Sequence, residues 1–428
     1  MRLLINQIID FWGLFGAFWY ILAPVGLFFV FRLAWLGYVR GHFLSNIKWV
    51  LLEIQVTRDV AKSPKAMENI FAGLHGATRS IDLIHKYWEG IVLPWFSLEI
   101  VGDDNGVHFY IWTQEFFRRL VEAQVYAQYP SSEIRVVEDY TKLMPKDLPD
   151  DQWTLWGAEL ELTKPDAYPI RTYEEFTLED ISAKEEERKI DPLSSMVEFF
   201  GALKAGERCW VQVLIRPTGD AWKKEGDELM GQLMGKTTKA KKNFIQQIFS
   251  FINEVVSFFL PQPAQTIESP KKEDFGIFKL SPGQQDVIKA VEKNISKLGF
   301  ETGIRWMYIA RHDTFSFVGV SAINGIFKQF SSQSLNGFKL NAKTKTTSGY
   351  LGHIERFKNI IEDRKKSRIY RAYRMRSLFY PPFNQVKPFV LSSSELATVY
   401  HFPGTVVGAP AMTRVEAKKG TPPSNLPL

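Results

Sequence analysis

The chain has 428 residues, of which 45% are hydrophobic and 23% are charged, with a single cysteine and a net charge of +6. This composition excludes a disordered chain, and one cysteine excludes an internal disulfide framework. The length predicts two folded domains. The positive charge favours acidic partners, either anionic lipid or nucleic acid.

The N-terminal segment predicts a transmembrane helix. Residues 11–31 contain no ionisable side chain and are rich in large apolar residues, and about 20 apolar helical residues suffice to cross the hydrocarbon core of a bilayer. We place the helix at residues 11–38. Arg32, Arg40 and Lys48 follow the apolar run, so the positive-inside rule predicts that the body of the protein lies in the cytoplasm.

The first half of the body indicates the element order βαββαβ, which is that of a ferredoxin-like sandwich. Its hairpin is marked by Asp103-Asp104-Asn105-Gly106, because Asn-Gly is the strongest signal for a tight turn. Asp103 and Asp104 are paired carboxylates, but their position in this turn favours a structural role over acid–base catalysis. The predicted elements are strand 50–56, helix 64–76, strands 95–101 and 107–112, helix 115–129 and strand 133–139.

The second half indicates an incomplete or decorated copy of the first, because one strand of the ferredoxin-like pattern is missing. Asp191-Pro192 marks the start of a helix, and Ser281-Pro282-Gly283-Gln284 has the spacing of a capping box. Strands are predicted at 158–162, 209–216 and 304–311, and helices are predicted after Asp191, after Ser281 and through Phe330.

An insertion at residues 218–280 interrupts this second half. Residues 243–260 carry a broad apolar stripe that follows a group of lysines. A basic amphipathic helix of this kind can lie in the headgroup plane of a membrane. The alternative is that the stripe packs against the body or against a partner subunit. The predicted membrane-docking residues are Lys236, Lys239, Lys241, Lys242, Phe244, Phe249 and Phe259.

A second basic cluster lies at residues 356–376, where Tyr370 and Tyr373 are interleaved with arginine and lysine. Such a helix can neutralise phosphates and stack on unpaired bases. A contact with anionic lipid or a solvated helix surface is the alternative, since Glu362 and Asp363 lie in the same stretch. The residues predicted to contact nucleic acid or lipid are Arg364, Lys365, Lys366, Arg368, Arg371, Arg374 and Arg376.

No pattern in the chain predicts a catalytic centre, a cofactor or a metal site. Residues 231–237 resemble a phosphate-binding loop, but they have one residue too few between the glycines and follow a helix-like segment instead of a strand. The seven histidines show no metal-ligand spacing, and we expect them to be isolated residues at the surface or boundary. Cys209 is expected to be a small buried hydrophobe. We therefore predict a protein that is not an enzyme.

Together these features predict an α+β protein with one N-terminal transmembrane helix, two ferredoxin-like units and a basic helical C-terminal part. The second unit carries the insertion with its amphipathic helix. The predicted boundaries are 1–42 for the anchor, 43–145 and 146–340 for the two units, 341–408 for the basic helical segment and 409–428 for a Pro-rich tail or linker.

Several segments of the chain together carry a family resemblance: residues 49–57, 191–195, 210–217, 376–382 and 394–404. They resemble the membrane-anchored N-terminal region, a domain of unknown function, that precedes the ATPase domain in bacterial conjugative-type proteins. These proteins are relatives of type IV secretion coupling proteins and of HerA/FtsK-like DNA pumps. The most specific segment is Leu-Ala-Thr-Val-Tyr-His-Phe-Pro-Gly at 396–404, which in those proteins leads through a Pro-rich linker into the ATP-binding domain. The resemblance covers most of the chain, but the Walker motifs are missing.

The resemblance implies a single-pass protein of the bacterial inner membrane. It implies a non-catalytic subunit that recruits or scaffolds a separately encoded ATPase of the type IV secretion or conjugation type, for translocation of DNA or protein. The expected partners are inner membrane lipids, that ATPase, DNA and further copies of the chain. The alternative function is a membrane-tethered nucleic-acid-binding protein that uses the basic C-terminal helix.

Overall fold

The computed structural model describes residues 2–56, 62–78, 81–176, 191–234, 281–347, 355–384 and 386–403. Over these residues the protein is α+β, with one long apolar helix at the N-terminus and one antiparallel sheet that carries helices on both faces. The predicted α+β class and the predicted N-terminal helix are confirmed.

The N-terminal helix α1 extends from Arg2 to Ser45 and contains the predicted span at 11–38. Within the described part of the chain, Ala23–Ser45 is the one helical segment long and apolar enough to cross a membrane, by length and composition. Large apolar side chains along it, including Phe28 and Phe31, are exposed. Large apolar side chains exposed in this way suit a lipid environment, whereas those of a protein core are buried.

The first half of the body has the strands and helices that the sequence predicts. They are β1 (Trp49–Gln55), α2 (Lys65–His75), β2 (Phe96–Asp103), β3 (Gly106–Gln114), α3 (Arg118–Gln128) and β4 (Glu133–Val137). In the β2–β3 turn, the Asn105 N–H donates to Asp103 Oδ1 at 2.8 Å and Gly106 has φ 119°. Glycine tolerates this backbone angle without a steric penalty, so the predicted hairpin turn is confirmed.

The second half has four strands within the described residues, one more than the sequence indicates. Its elements are β5 (Trp153–Leu162), α4 (Ser194–Gly201), β6 (Glu207–Pro217), α5 (Ala221–Leu233), α6 (Pro282–Ile295), β7 (Gly299–Arg311), α7 (Phe317–Lys328) and β8 (Phe338–Leu340). The predicted capping box of Ser281 and Gln284 is present at the start of α6. The additional strand β8 pairs with β5, and three residues are too few to show an alternating pattern.

The strands of the described residues form one sheet in the order β4-β1-β3-β2-β6-β7-β5-β8, with β9 (Phe389–Ser392) added beside β7. The two halves meet where β2 pairs with β6, from Phe96 opposite Ile215 to Gly102 opposite Cys209. Residues 43–145 and 146–340, predicted as two domains, therefore share a continuous sheet. Hydrophobic periodicity reports the burial of each strand separately and cannot reveal this pairing.

Helices cover both faces of the sheet. On one face, α2, α3, α4 and α7 enclose an apolar layer that includes Leu52 and Ile323. On the other face, α8 (Glu355–Arg374) packs over Trp210 and Met307. Full burial of one such side chain stabilises the fold by about 1.5–3 kcal/mol. The segment predicted as a separate basic helical part is thus an integral layer of the body.

The segment with the most specific family resemblance is buried in the body. Helix α9 (Ser393–Val399) follows β9 directly, all of its residues are buried, and Ser392 and Glu395 form a capping box. Glu395 Oε1 also accepts a hydrogen bond from the Ile170 N–H at 2.8 Å. The glutamate therefore joins the start of α9 to the loop that follows β5.

Glu395 is expected to make stability depend on pH. Burial raises its pKa from 4.5 to about 7, although the hydrogen bonds it accepts act in the opposite direction. Because the native pKa lies above the unfolded value, its contribution to stability is complete below about pH 4.5 and is lost as pH rises through about 7. The complete loss is roughly 3 kcal/mol.

The measurement is urea unfolding of the detergent-solubilised full chain at several pH values between about 5 and 8. Glu395→Gln is expected to remove the Glu395 part of this slope, whereas the part that the raised pKa of His108 adds above about pH 6.5 remains. The matched control Glu198→Gln, on the exposed side of α4, keeps the whole slope. An unchanged slope in Glu395→Gln would exclude Glu395 as its source.

Candidate functional site

Helix α8 is held on the sheet by aromatic side chains. Tyr370 and Tyr373 are buried, and their ring centroids lie 6.3 and 5.2 Å from that of Trp210 in β6. The Tyr370 hydroxyl donates to the Pro145 carbonyl at 2.7 Å. Both tyrosines, which the sequence suggested as stacking platforms for bases, are therefore inaccessible to nucleic acid.

Arg376, just beyond the end of α8, is also buried, with 2% of its surface exposed. Its guanidinium donates to both carboxylate oxygens of Glu99 at 3.0 and 3.1 Å and also binds the carboxylate of Asp139. The Tyr140 hydroxyl donates to Glu99 at 2.8 Å. Arg376 has φ 46°, which is uncommon for a residue with a side chain. This arginine is consequently a structural residue and not part of an exposed contact surface.

The other predicted residues of this cluster lie at or near the surface: Arg364, Arg368 and Arg371 are exposed, and Lys365, Lys366 and Arg374 are half-buried. Some of them are used within the fold. Arg371 pairs with Asp147 at 2.7 Å, and Arg374 donates to the Lys146 carbonyl at 2.5 Å. Lys366 donates to Thr154 Oγ1 at 3.3 Å. These contacts hold the outer side of α8 against the loop between β4 and β5.

A basic cleft lies along one side of α8. It is lined by Lys343, Lys365 and Arg368, together with the apolar side chains of Ile369 and Phe383, and it is open to solvent. Burial, and after it the charge of nearby Lys345, lowers the pKa of Lys365. The repulsion between these lysines indicates that an anion in the cleft would be stabilised.

Arg364 and Arg368 have no ion-pair partner among the described residues, and the same holds for Lys343. Glu159, which lies at the base of the cleft, is already paired with Arg305 at 2.9 Å. The positive charge of this cleft is therefore not neutralised by the carboxylate that lines it.

A second basic cleft lies on the other side of α8, between the helix and the loop before β5. Its cations are Lys142, Lys146, Arg371 and Arg374, and Asp139 and Asp147 also line it. The acidic residues offset part of the charge, because Asp147 pairs with Arg371. Three cations in each cleft are without an ion-pair partner among the described residues, and exposed Arg364, one turn from Arg368, adds a fourth beside the cleft lined by Lys343, Lys365 and Arg368. We refer to this cleft together with Arg364 as the basic surface of α8.

The sequence did not identify the lysines that complete the basic surface. Lys343 and Lys345 precede α8 in the chain and were assigned to no site, although the repeated lysines at 339, 343 and 345 were a visible signal. Their approach to Lys365 requires the segment after β8 to return to α8, where the Lys365 Nζ donates to the Thr347 carbonyl at 3.0 Å. Only the packed fold brings these segments together.

The predicted membrane-docking residues lie outside the residues that the structure describes: Lys236, Lys239, Lys241, Lys242, Phe244, Phe249 and Phe259. The resemblance to a phosphate-binding loop begins inside α5, where Gly231 is a helical residue. A phosphate-binding loop should follow a strand, but this segment begins within a helix.

Three histidines that were expected to be isolated have carboxylate partners, one of them His85, whose Nδ1 lies 3.0 Å from Asp82. His401 is buried and its Nε2 lies 3.1 Å from Asp191, and His108 Nδ1 lies 2.9 Å from Glu53. Burial acts to lower the pKa of His108, but hydrogen bonds with Asp103 and Glu53 outweigh it and raise the pKa to about 9. Among the described residues, no group of three or more His, Cys, Asp or Glu side chains could hold a metal ion.

Comparison with known families gives one result for this chain. A family described as a domain of unknown function (DUF8128) matches residues 43–412, a range that begins near the end of α1 and includes the whole sheet and α8. No curated protein matches the chain. Because the match covers most of its length, the protein belongs to the DUF8128 family.

Proposed function

We propose that this protein is a non-catalytic, single-pass subunit of the bacterial inner membrane that holds a partner at the membrane through the basic surface of α8. In this proposal α1 is the anchor and the body lies in the cytoplasm. The partner is a separately encoded ATPase of the type IV secretion or conjugation type, which translocates DNA or protein. The basis for the ATPase is the resemblance of residues 396–404 and the other segments to the region that precedes such a motor.

The observation that carries this proposal is the unneutralised charge on a rigid helix. Arg364 and Arg368 are exposed one turn apart on α8, and their positions are fixed because Tyr370 and Tyr373 anchor the same helix in the core. An unpaired basic surface on a rigid helix favours an acidic partner, because the charges are complementary and the backbone of α8 loses little freedom on binding.

The sheet topology supports a scaffolding role. In chain order, the strands of each half lie in the spatial sequence fourth, first, third, second: β4-β1-β3-β2 and β8-β5-β7-β6. We propose that both halves are ferredoxin-like units, joined edge to edge through β2 and β6 and related by an internal duplication. Such a joined sheet forms a broad, rigid platform.

The test is affinity capture of the full chain from native membranes in mild detergent, with mass spectrometry of the bound proteins. We expect recovery of an ATPase with intact Walker motifs. Arg364→Glu combined with Arg368→Glu is expected to reduce this recovery about tenfold, which corresponds to about 1.4 kcal/mol. The matched control is Lys328→Glu, an exposed charge reversal on α7 at the opposite face of the sheet. Equal recovery by all three proteins would contradict the proposed use of α8.

Nucleic acid is the second candidate partner, because the same unpaired cations can neutralise phosphates. With Tyr370 and Tyr373 buried, such binding would depend on phosphate contacts and not on base stacking. In the capture experiment, treatment with nuclease distinguishes the two partners. Recovery that nuclease removes would indicate a nucleic acid bridge, whereas recovery that survives nuclease would indicate direct binding of protein.

A further inference from the structure

The segment at residues 81–90, between α2 and β2, exposes three large apolar side chains. Leu83, Ile84 and Trp88 are 74%, 67% and 76% exposed, respectively. They lie within or next to the π-helical turn His85–Glu89. Large apolar side chains concentrated on one short exposed segment mark an interaction surface.

This segment packs directly against α1. Trp35 Nε1 donates a hydrogen bond to the Tyr87 carbonyl at 2.7 Å, and the ring centroids of Trp35 and Trp88 are 6.1 Å apart. Gly90 has φ 67°, and a Cβ atom there would lie 2.3 Å from the Val39 carbonyl oxygen. Glycine thus permits both the backbone angle and the close approach. The segment is held at the level of Trp35–Val39 on α1.

The position of Trp35 along α1 indicates which layer of the bilayer surrounds the 81–90 segment. The segment Ala23–Ser45 contains Arg32 and Arg40, so we assign the hydrocarbon core to the uncharged run 11–31 that precedes Arg32. This run is about 32 Å long at a rise of 1.5 Å per residue, which matches the hydrocarbon core of roughly 30 Å. Trp35 lies about 6 Å beyond the end of that run, at the depth of the headgroup layer. After this level one side of α1 packs on the body, because Val39 is buried and the half-buried Phe43 packs against the cluster that contains Trp95 and Leu378.

We propose that the 81–90 segment is a second membrane contact, with Leu83, Ile84 and Trp88 inserted into the interfacial layer of the bilayer beside α1. This inference rests on the membrane anchoring in the proposed function. Aromatic and apolar side chains are stabilised in this layer.

The charges on the 81–90 segment indicate whether its membrane contact needs anionic lipid. Asp82 and Glu89 are exposed, and Lys86 is the one lysine between them. The segment therefore has no excess of positive charge, and apolar burial alone drives its insertion. Its contact is with the bilayer interface in general and does not depend on anionic lipid.

Two membrane contacts have a mechanical consequence. A single helix leaves the body free to rotate and tilt, whereas a second contact beside it restricts both motions. The 81–90 segment would thereby hold the basic surface of α8 in a constant orientation relative to the membrane plane.

Site-specific fluorescence on the full chain in phosphatidylcholine vesicles tests the proposal. Cys209 is the single cysteine and is buried, so a thiol introduced at an exposed position is labelled selectively with an environment-sensitive fluorophore. For Trp88→Cys we expect blue-shifted emission and stronger quenching by a lipid-bound quencher near the headgroups than by one deep in the acyl chains. Leu83→Cys repeats the measurement without removing Trp88. Addition of anionic lipid is expected to leave both results unchanged.

Two matched positions calibrate the measurement. Phe28→Cys, on the exposed side of α1 and about 5 Å inside the end of the uncharged run, is expected to be quenched by the deep quencher more strongly than the probes at Leu83 and Trp88 are. Val318→Cys is 75% exposed and follows the end of β7 that points away from α1, so its probe is expected to emit as in water.

The outcomes separate this inference from the anchor itself. If the probe at Phe28 lies in lipid while those at Leu83 and Trp88 behave like the probe at Val318, the second contact is refuted and the anchor stands. If the probe at Phe28 is also in water, the anchor and the second contact both fail. Insertion that appears only with anionic lipid would refute a contact driven by apolar burial.

Discussion

Replacement of Arg376 by Met is expected to lower the free energy of unfolding by about 3–5 kcal/mol. Arg376 neutralises Glu99, which is fully buried in the sheet, and it also binds Asp139. Methionine fills much of the same volume but leaves the Glu99 carboxylate without a counter-charge. Thermal or urea unfolding of the detergent-solubilised chain, followed by tryptophan fluorescence, measures the change.

Asp139 makes the stability difference between the wild type and Arg376→Met depend on pH. Burial acts to raise its pKa, but the hydrogen bond and the charge of Arg376 outweigh burial, and the pKa is lowered. A carboxyl whose native pKa lies below the unfolded value stabilises the fold above about pH 4 and loses that contribution as pH falls through the native pKa. The stability difference between the wild type and Arg376→Met should therefore narrow as pH is lowered from about 7 to about 3.

The matched control for Arg376 is Arg371→Met, in the last turn of α8 just before it. Arg371 pairs with Asp147 at 2.7 Å, but both side chains are exposed, and exposed pairs contribute about 0–1 kcal/mol. Similar losses of unfolding free energy in Arg376→Met and Arg371→Met would mean that the buried Arg376 network contributes no more to stability than an exposed ion pair.

Replacement of Asp191 by Ala is expected to lower the free energy of unfolding by about 3–5 kcal/mol. The buried Asp191 carboxylate accepts hydrogen bonds from the Leu193 N–H at 2.8 Å and from His401 Nε2 at 3.1 Å. His401 Nδ1 faces the Ala397 carbonyl at 2.9 Å. Each ring nitrogen of His401 therefore lies within hydrogen-bonding distance of an acceptor, and alanine would leave the buried ring and the Leu193 N–H without their carboxylate partner. Thermal unfolding of the solubilised chain measures the loss.

Asp191→Asn separates the two roles of this side chain. Asparagine retains an oxygen that can accept from the Leu193 N–H, but it removes the negative charge opposite His401. We expect a smaller loss of stability than in Asp191→Ala. A control in the exposed β2–β3 turn, Asp104→Ala, should change stability by less than about 0.5 kcal/mol. If Asp191→Ala behaves like this control, the Asp191–His401 pair does not stabilise the fold.

These two buried pairs explain why the end of the described chain belongs to the body. Arg376 joins the segment after α8 to β2, and His401 joins the segment after α9 to the start of α4. The described part of the segment with the most specific resemblance, 396–403, thus has a structural role in this fold. Any motor partner would meet other surfaces, and the basic surface of α8 is the one we propose.

Local patterns in the sequence were sufficient for much of the secondary structure. The apolar run at 11–31 determined α1, the Asp-Asp-Asn-Gly turn determined the β2–β3 hairpin, and Ser281 with Gln284 determined the start of α6. The run at 11–31 is one contiguous segment, and the cap and the turn each lie within four residues because they depend on neighbouring side chains.

Those patterns do not predict contacts between residues that lie far apart in the sequence. The sequence by itself determined an apolar N-terminal helix, the α+β class and a basic stretch at 356–376. Only the tertiary structure decided that β2 and β6 join both halves into one sheet, that Arg376 and the two tyrosines face inward, and that Lys343 completes the basic surface. The physical reason is that charge and hydropathy are properties of single residues, whereas burial and ion pairing depend on which segments the fold brings together.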